Sequence, residues 1–243
     1  MGAGYDSVDM SAAKKKNIAV TITPGANAEA VAEYAFTLML ALSRGLVQTD
    51  KRIRNSDWKL FIGNSLAGKK LGVVGLGNIG KILCRHAINF SMEILAYDEY
   101  KDEDYAVKNG ISYCSLEKLI RESNFVSLHV PLNDNTRKMF STKEFNMMKP
   151  SAYIINCARG GVIDEDALYE ALKNDVIRGA GLDVFGKEPL AAESCLRTLD
   201  NVILSSHTAG STVESREKVF EIAVRNVIDY FEGRVPKGIV NPE

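Results

Sequence analysis

The chain has 243 residues, with 30 Lys plus Arg against 31 Asp plus Glu and a formal net charge of −1. Hydrophobic content of 46% and charged content of 25% are those of a globular protein and exclude a disordered or fibrous one. The balanced charge excludes the basic footprint of a nucleic-acid binder, and at roughly 150 residues per domain the length allows one large domain or two modest ones.

The first ten residues, Met1 to Met10, contain no basic segment followed by an apolar run, so no secretory signal is read there and a cytoplasmic address is expected. A short β-branched run at Ile18–Thr21 predicts a strand. Asn27–Arg44 reads as one long helix with Asn27 as N-cap. Its apolar residues go almost all the way round, which implies burial between layers or at a subunit contact. The most apolar part, Tyr34–Leu42, falls well short of the ~20 residues that span a bilayer, so no membrane is expected. A polar stretch, 55–70, follows.

Beyond it, apolar runs at Leu71–Val74, Ile94–Tyr97, Phe125–Val130, Ala152–Asn156, Gly181–Val184 and Val202–Ser205 predict strands, with a weaker one at Ser112–Cys114. They do not alternate, as expected of parallel strands covered on both faces. Stretches of crossover length separate most of them, which predicts a doubly wound α/β fold. The expected organisation is a partial domain over 1–55, a dinucleotide-type domain over 56–225 and a return over 226–243. Cys84, Cys114, Cys157 and Cys195 lie far apart, with no metal-ligand spacing, which suits a reduced protein without a zinc site.

The run Leu71–Val74 leads directly into Gly75-Leu76-Gly77-Asn78-Ile79-Gly80. In this Rossmann pattern Gly75 permits a tight turn, Gly77 lets backbone approach a pyrophosphate and Gly80 allows close helix–strand packing. The following helix aims its free N–H groups at the anion. Asp98 ends the next strand, where a carboxylate would accept from the ribose 2′-hydroxyl of NAD and repel the extra phosphate of NADP.

Arg159, Glu188 and His207 each fall at or just past the end of a predicted strand, the edge where ligands bind in open α/β sheets. An anion clamp, a carboxylate and a titratable base suit hydride exchange at a carbon bearing a hydroxyl next to a carboxylate. Taken singly, the arginine could be a surface ion pair and the glutamate a solvated loop residue. His86 is expected to be structural, and His129 is either a strand residue or part of the cofactor rim.

GLGNIG with Asp98, LHVPLNDNTR, NCARGGVIDEDAL, GAGLDVFGKEP and SSHTAGST together resemble the D-isomer-specific 2-hydroxyacid dehydrogenases, in particular the D-3-phosphoglycerate branch. The resemblance implies that Arg159, Glu188 and His207 are the catalytic set, that Asp183 supports the nicotinamide end of NAD, and that Asn78, Ile79, Asp98, Val130, Pro131, Cys157 and Gly210 line the cofactor. It implies a small 2-hydroxy or 2-oxo acid as substrate and, with the apolar helix, a homodimer. Gly2-Ala3-Gly4-Tyr5-Asp6 matches a segment that closes the first part of the substrate domain in the family, so an N-terminal truncation is expected, with remnants of a flavodoxin-like domain over 1–26 and 239–242. Two alternatives follow: an NAD-binding module without turnover, because the substrate loop is missing, and a glyoxylate or hydroxypyruvate reductase.

Overall fold

The computed structural model describes residues 4, 5 and 8–241. The seven short apolar runs form a single parallel sheet: β1 (Lys70–Val74), β2 (Glu93–Tyr97), β3 (Ile111–Tyr113), β4 (Phe125–Leu128), β5 (Tyr153–Asn156), β6 (Gly179–Leu182) and β7 (Val202–Leu204). Their order is β3-β2-β1-β4-β5-β6-β7, with every neighbouring pair parallel. The order reverses between β1 and β4, and such a switch point opens a crevice at the carboxyl ends of the strands.

Nine helices are described: α1 (Met10–Lys15), α2 (Ala28–Arg44), α3 (Leu46–Arg54), α4 (Asn78–Asn89), α5 (Glu103–Lys108), α6 (Leu116–Glu122), α7 (Thr142–Met147), α8 (Glu165–Lys173) and α9 (Val213–Phe231). Helices within 32–209 cover both faces of the sheet, which is why the strands are apolar throughout: Val73, Val74, Val126, Leu128, Ile154 and Ile155 are fully buried. Glycines let two helices lie close. A Cβ on Gly72 in β1 would come within 2.4 Å of Leu119 Cδ2 in α6, and one on Gly181 in β6 within 3.1 Å of Leu38 Cβ in α2. Ala32, Ala35 and Met39 of α2 are fully buried, so one face of this helix is packed within the fold. No single helix among the described residues is long and apolar enough to cross a membrane.

Two compact units result, Ala32–Ala209 and Met1–Val31 with Gly210–Glu243. These divisions differ from the sequence boundaries after residues 55 and 225 for two packing reasons. Most of α2 sides with the sheet because it lies on β6, whereas α9 sides with the terminal segments because Asn226 Nδ2 donates to the carbonyl of Ile22 at 3.0 Å.

The predicted strands agree with the sheet to within one or two residues at most ends, with one exception. Ile18–Thr21 is not a strand but makes one antiparallel bridge, Thr21 to Ile239. The C-terminal segment holds it: Val240 N–H donates to Val20 O at 3.0 Å, Ile22 N–H to Gly238 O at 2.8 Å, and the Asn241 side chain bonds both Val20 N–H and Ile18 O. Of the GxGxD segment, Gly2, Ala3 and Asp6 lie outside the described residues, as does Pro242 at the far end of the predicted return.

Ile154 sits in β5, an interior strand, sealed within the main core. Ile154→Ala leaves a cavity that flanking strands cannot close, and is expected to lower stability by about 2–5 kcal/mol. A urea titration followed by circular dichroism reads it; a midpoint equal to that of the parent chain would refute this packing.

Candidate active site

The glycine turn after β1 adopts the geometry that its sequence requires. Gly75 has φ +98°, and a Cβ there would come within 2.7 Å of the His129 carbonyl and 3.2 Å of Val130 Cγ1. A Cβ on Gly80 would lie 2.2 Å from Gly75 O, so α4 begins flush against the turn. Gly77, at the N-cap of α4, faces nothing within 4 Å. The loop is therefore closed beneath by Gly75 and Gly80 and open above at Gly77, a cradle for a group that approaches the backbone of Asn78 and Ile79. Asp98 stands at its edge: one carboxylate oxygen accepts from Leu76 N–H at 2.6 Å, the other from Tyr100 N–H at 2.8 Å. An open anion cradle beside a fixed carboxylate fits the pyrophosphate and ribose of NAD.

The end of β4 supplies the opposite rim. His129 N–H donates to Val74 O at 2.8 Å, and the chain then leaves the sheet through Val130 and Pro131, whose carbonyl accepts from the Thr136 hydroxyl at 2.6 Å. The His129 ring pairs with Ser127 Oγ at 2.9 Å, and burial pushes the imidazole down to about 4, so it is neutral near pH 7. A neutral imidazole held in this way is unsuited to proton exchange near pH 7.

Beyond β5, Asn156 organises the next loop. Its amide donates to Arg159 O at 2.9 Å, and its carbonyl oxygen accepts from Ala158 N–H at 3.0 Å. Cys157 is buried with its thiol pushed up by desolvation and by the nearby Asp183, so it stays protonated. Arg159 donates from Nη1 to Ala158 O at 2.7 Å. The following Gly160 has no room for a side chain: a Cβ would fall 1.9 Å from the Phe185 carbonyl carbon.

Asp183, beyond β6, is only 1% exposed. One of its carboxylate oxygens accepts from the Ser205 hydroxyl at 2.6 Å and Thr208 N–H at 2.9 Å, the other from Ala209 N–H at 2.8 Å. Its carbonyl accepts from His207 N–H at 2.8 Å. His207 itself has φ +52°, a conformation that a non-glycine residue holds only when its surroundings enforce it. From this turn its Nδ1 reaches Glu188 Oε2 at 2.7 Å. Burial opposes the charge on Glu188, but hydrogen bonds from His207 and from Phe185 N–H, with the charges of His207 and Arg159, outweigh it and hold the carboxyl below its ordinary range. Arg159, Glu188 and His207 therefore converge at one edge of the sheet, although they lie far apart in sequence. Glu188 and His207 open on a cavity of about 900 Å³ that Phe185, Leu190 and Arg197 also line.

Gly210 falls in the terminal unit, where a Cβ would come within 2.7 Å of Asn27 Nδ2. Asn27 occupies the N-cap position of α2, its carbonyl accepting from Val31 N–H at 3.0 Å. Ser205 and Glu165 belong to the quoted motifs, but nothing in their local sequence sets them apart; only the long-range contacts do. Among the described residues, no group of three or more His, Cys, Asp or Glu side chains could hold a metal ion.

A parallel sheet of this order, a glycine cradle at its switch point and an imidazole–carboxylate pair on its carboxyl edge define a dinucleotide-dependent oxidoreductase. Residues 36–209 match the NAD-binding-domain model of the D-isomer specific 2-hydroxyacid dehydrogenases. The glyoxylate reductase of Korarchaeum cryptofilum is 42% identical over 246 residues, covering 99% of this chain and 74% of the relative, and that of Thermococcus litoralis is 41% identical over 249 residues, covering 99% and 75%. The crystal structure of the Aquifex aeolicus D-lactate dehydrogenase, complexed with NAD and lactic acid, superposes with a TM-score of 0.90 at 33% identity, covering 100% of this chain and 79% of that one. The chain belongs to the D-isomer-specific 2-hydroxyacid dehydrogenase family, and NAD is its cofactor.

Asp98→Ala removes the carboxylate at the cradle's edge. It is expected to weaken NADH binding roughly 10- to 100-fold, as loss of a charged hydrogen bond does, and to narrow the preference over NADPH. Fluorescence titration with both nucleotides measures this; an unchanged preference would show that Asp98 is not the ribose ligand.

Proposed function

We propose that this dehydrogenase reduces glyoxylate or a 2-oxo acid of similar size, with Arg159, Glu188 and His207 as the reacting set. The observation that carries the chemistry is the 2.7 Å contact between Glu188 and His207 Nδ1, which leaves His207 Nε2 as the nitrogen available to substrate. The substrate class rests on the curated relatives, both glyoxylate reductases, which favour a small 2-oxo acid over D-3-phosphoglycerate.

The cradle of Gly75, Gly77, Asn78, Ile79 and Gly80, with Asp98, Val130, Pro131, Cys157 and Asp183, would hold NAD, which when bound supplies the hydride donor and acceptor. Arg159 would bind the substrate carboxylate through its planar fork and polarise the 2-oxo oxygen. His207, as imidazolium, would give its Nε2 proton to that oxygen as the carbon is reduced, and take it back in oxidation. Glu188 fixes the orientation of the ring through Nδ1. Its depressed pKa keeps it charged at neutral pH. Asp183, its carboxylate taken up by Ser205, Thr208 and Ala209, holds the His207 turn in place, and its edge of the sheet is also where the nicotinamide end would lie.

Mixing the chain with NADH and glyoxylate, hydroxypyruvate or 3-phosphohydroxypyruvate should show fastest NADH oxidation with one of the two unphosphorylated acids. His207→Ala is expected to lower that rate by at least roughly 100-fold, the contribution of a positioned general acid. Equal rates in the variant, or a preference for the phosphorylated acid, would defeat this reading.

We further infer that the partner is a second copy of this chain, docked on the segment after α3. Trp58, Leu60 and Ile62 alternate along it at 89%, 86% and 83% exposure, and Trp58 and Leu60 form one wall of a groove of about 840 Å³ that Leu40, Ala41, Leu46 and Ile53 also line. One face thus carries both projecting apolar side chains and an apolar groove, which is what a self-complementary two-fold contact needs. Light scattering should give twice the 26.7 kDa chain mass, and Trp58→Glu combined with Leu60→Glu should reduce it to one; a monomeric parent chain would overturn the inference.

A further inference from the structure

The loop Asp183–Glu188 carries the carboxylate that orients His207, yet it lies outside the sheet and contains no regular structure of its own. Something must hold it. Below, the loop lies directly on the turn after Arg159: a Cβ on Gly160 would fall 1.9 Å from Phe185 C and 2.4 Å from Gly186 N. From the side, Glu165 at the start of α8 accepts the Gly186 N–H at 2.6 Å through Oε1. The same carboxylate oxygen would stand 3.5 Å from a Cβ on Gly186, so the loop passes close to it without a side chain between. An acid in the first turn of a helix is favoured by the free N–H groups there, which makes Glu165 a firm anchor. The Phe185–Gly186 peptide is thus fixed from two directions, and the adjoining Phe185 N–H donates to Glu188 Oε1 at 3.0 Å. That leaves Oε2 to meet His207 at 2.7 Å.

We propose that Glu165 is a positioning residue for the reaction: its bond to Gly186 N–H sets the loop so that Glu188 is aimed at His207. The proposal rests on the reading of Glu188 and His207 as the proton-handling pair. In functional terms the helix α8, which touches neither atom that reacts, sets the geometry of the pair through two backbone amides.

Glu165→Ala and Glu165→Gln separate this role from general stability, because the glutamine oxygen still accepts from Gly186 N–H without the charge. Glu165→Ala is expected to lower kcat for glyoxylate reduction roughly 10- to 100-fold, the effect of a small misplacement of a reacting group, with NADH affinity within about two-fold of the parent chain. Glu165→Gln is expected to restore most of the rate. The pH profile gives a second readout. Glu188 faces His207, Arg159 and, across the cavity, Arg197, and activity that needs its carboxylate is lost as pH falls through its pKa. Once the loop is released, Glu188 loses the Phe185 N–H and its hold on His207, so the acid limb moves up in pH. Loss of the Glu165 charge alone would move that limb down, and Glu165→Gln isolates this opposite effect.

His207→Ala, run in parallel, distinguishes the two levels. If His207→Ala keeps its rate, the assignment of the pair fails whatever Glu165 does. If His207→Ala is inactive while Glu165→Ala turns over normally with an unmoved acid limb, the positioning role alone is overturned. Should Glu165→Ala lose NADH binding as severely as its rate, Glu165 is only structural and the proposal also falls. Hydrogen exchange at the Phe185 and Gly186 amides reads the anchor without turnover. Exchange at least ten-fold faster in Glu165→Ala than in Glu165→Gln supports the anchor, and equal rates refute it.

Discussion

A carboxylate buried at the end of β6 has to find donors, because an unpaired charge there would cost several kcal/mol of desolvation. Asp183 meets this demand with the Ser205 hydroxyl and the backbone N–H groups of Thr208 and Ala209, three donors drawn from the segment after β7. That segment is consequently drawn across the carboxyl edge of the sheet. The positive φ of His207, unfavourable for a residue with a Cβ, is sustained by the bonds on either side of it. Burial of one acid thus determines where the imidazole stands.

The same edge shows how a shallow crevice is built from backbone rather than from side chains. Gly75 lies against the carbonyl of His129, Gly80 against the carbonyl of Gly75, and Gly160 against that of Phe185. Each contact brings two stretches of backbone to a distance at which any Cβ would clash, so each acts as a spacer of zero thickness. They tie the end of β1 to that of β4 and the end of β5 to that of β6, and the side chains placed there inherit their separations from the sheet. Rigid elements hold a constellation better than loops do, and here the loops are made rigid by such contacts.

Much of this was legible in the sequence. Apolar runs without alternation announced a two-sided parallel sheet, and Gly75, Gly77 and Gly80 announced the tight turn that opens α4, because both signals are local. Arg159, Glu188 and His207 could be proposed because each follows a strand. Other features were hidden for physical reasons. Ile18–Thr21 has the composition of a strand, but its partners near Ile239 are more than 200 residues away, and too few of them pair to make a ladder. Glu165 looks like any acid that opens a helix, since its bond to Gly186 spans 21 residues. The stretch 55–70 read as merely polar because period-two exposure of Trp58, Leu60 and Ile62 is diluted by charged and small neighbours.

That stretch holds the chain's one tryptophan, with its indole almost entirely in water. Its tryptophan emission therefore originates outside the hydrophobic core. Within a single chain, melting the seven-stranded sheet would hardly change the surroundings of the indole, whereas covering the segment after α3, as the inferred dimer does, would shift the emission to the blue. The protein carries a built-in optical gauge of that surface, one largely blind to the integrity of the fold beneath it.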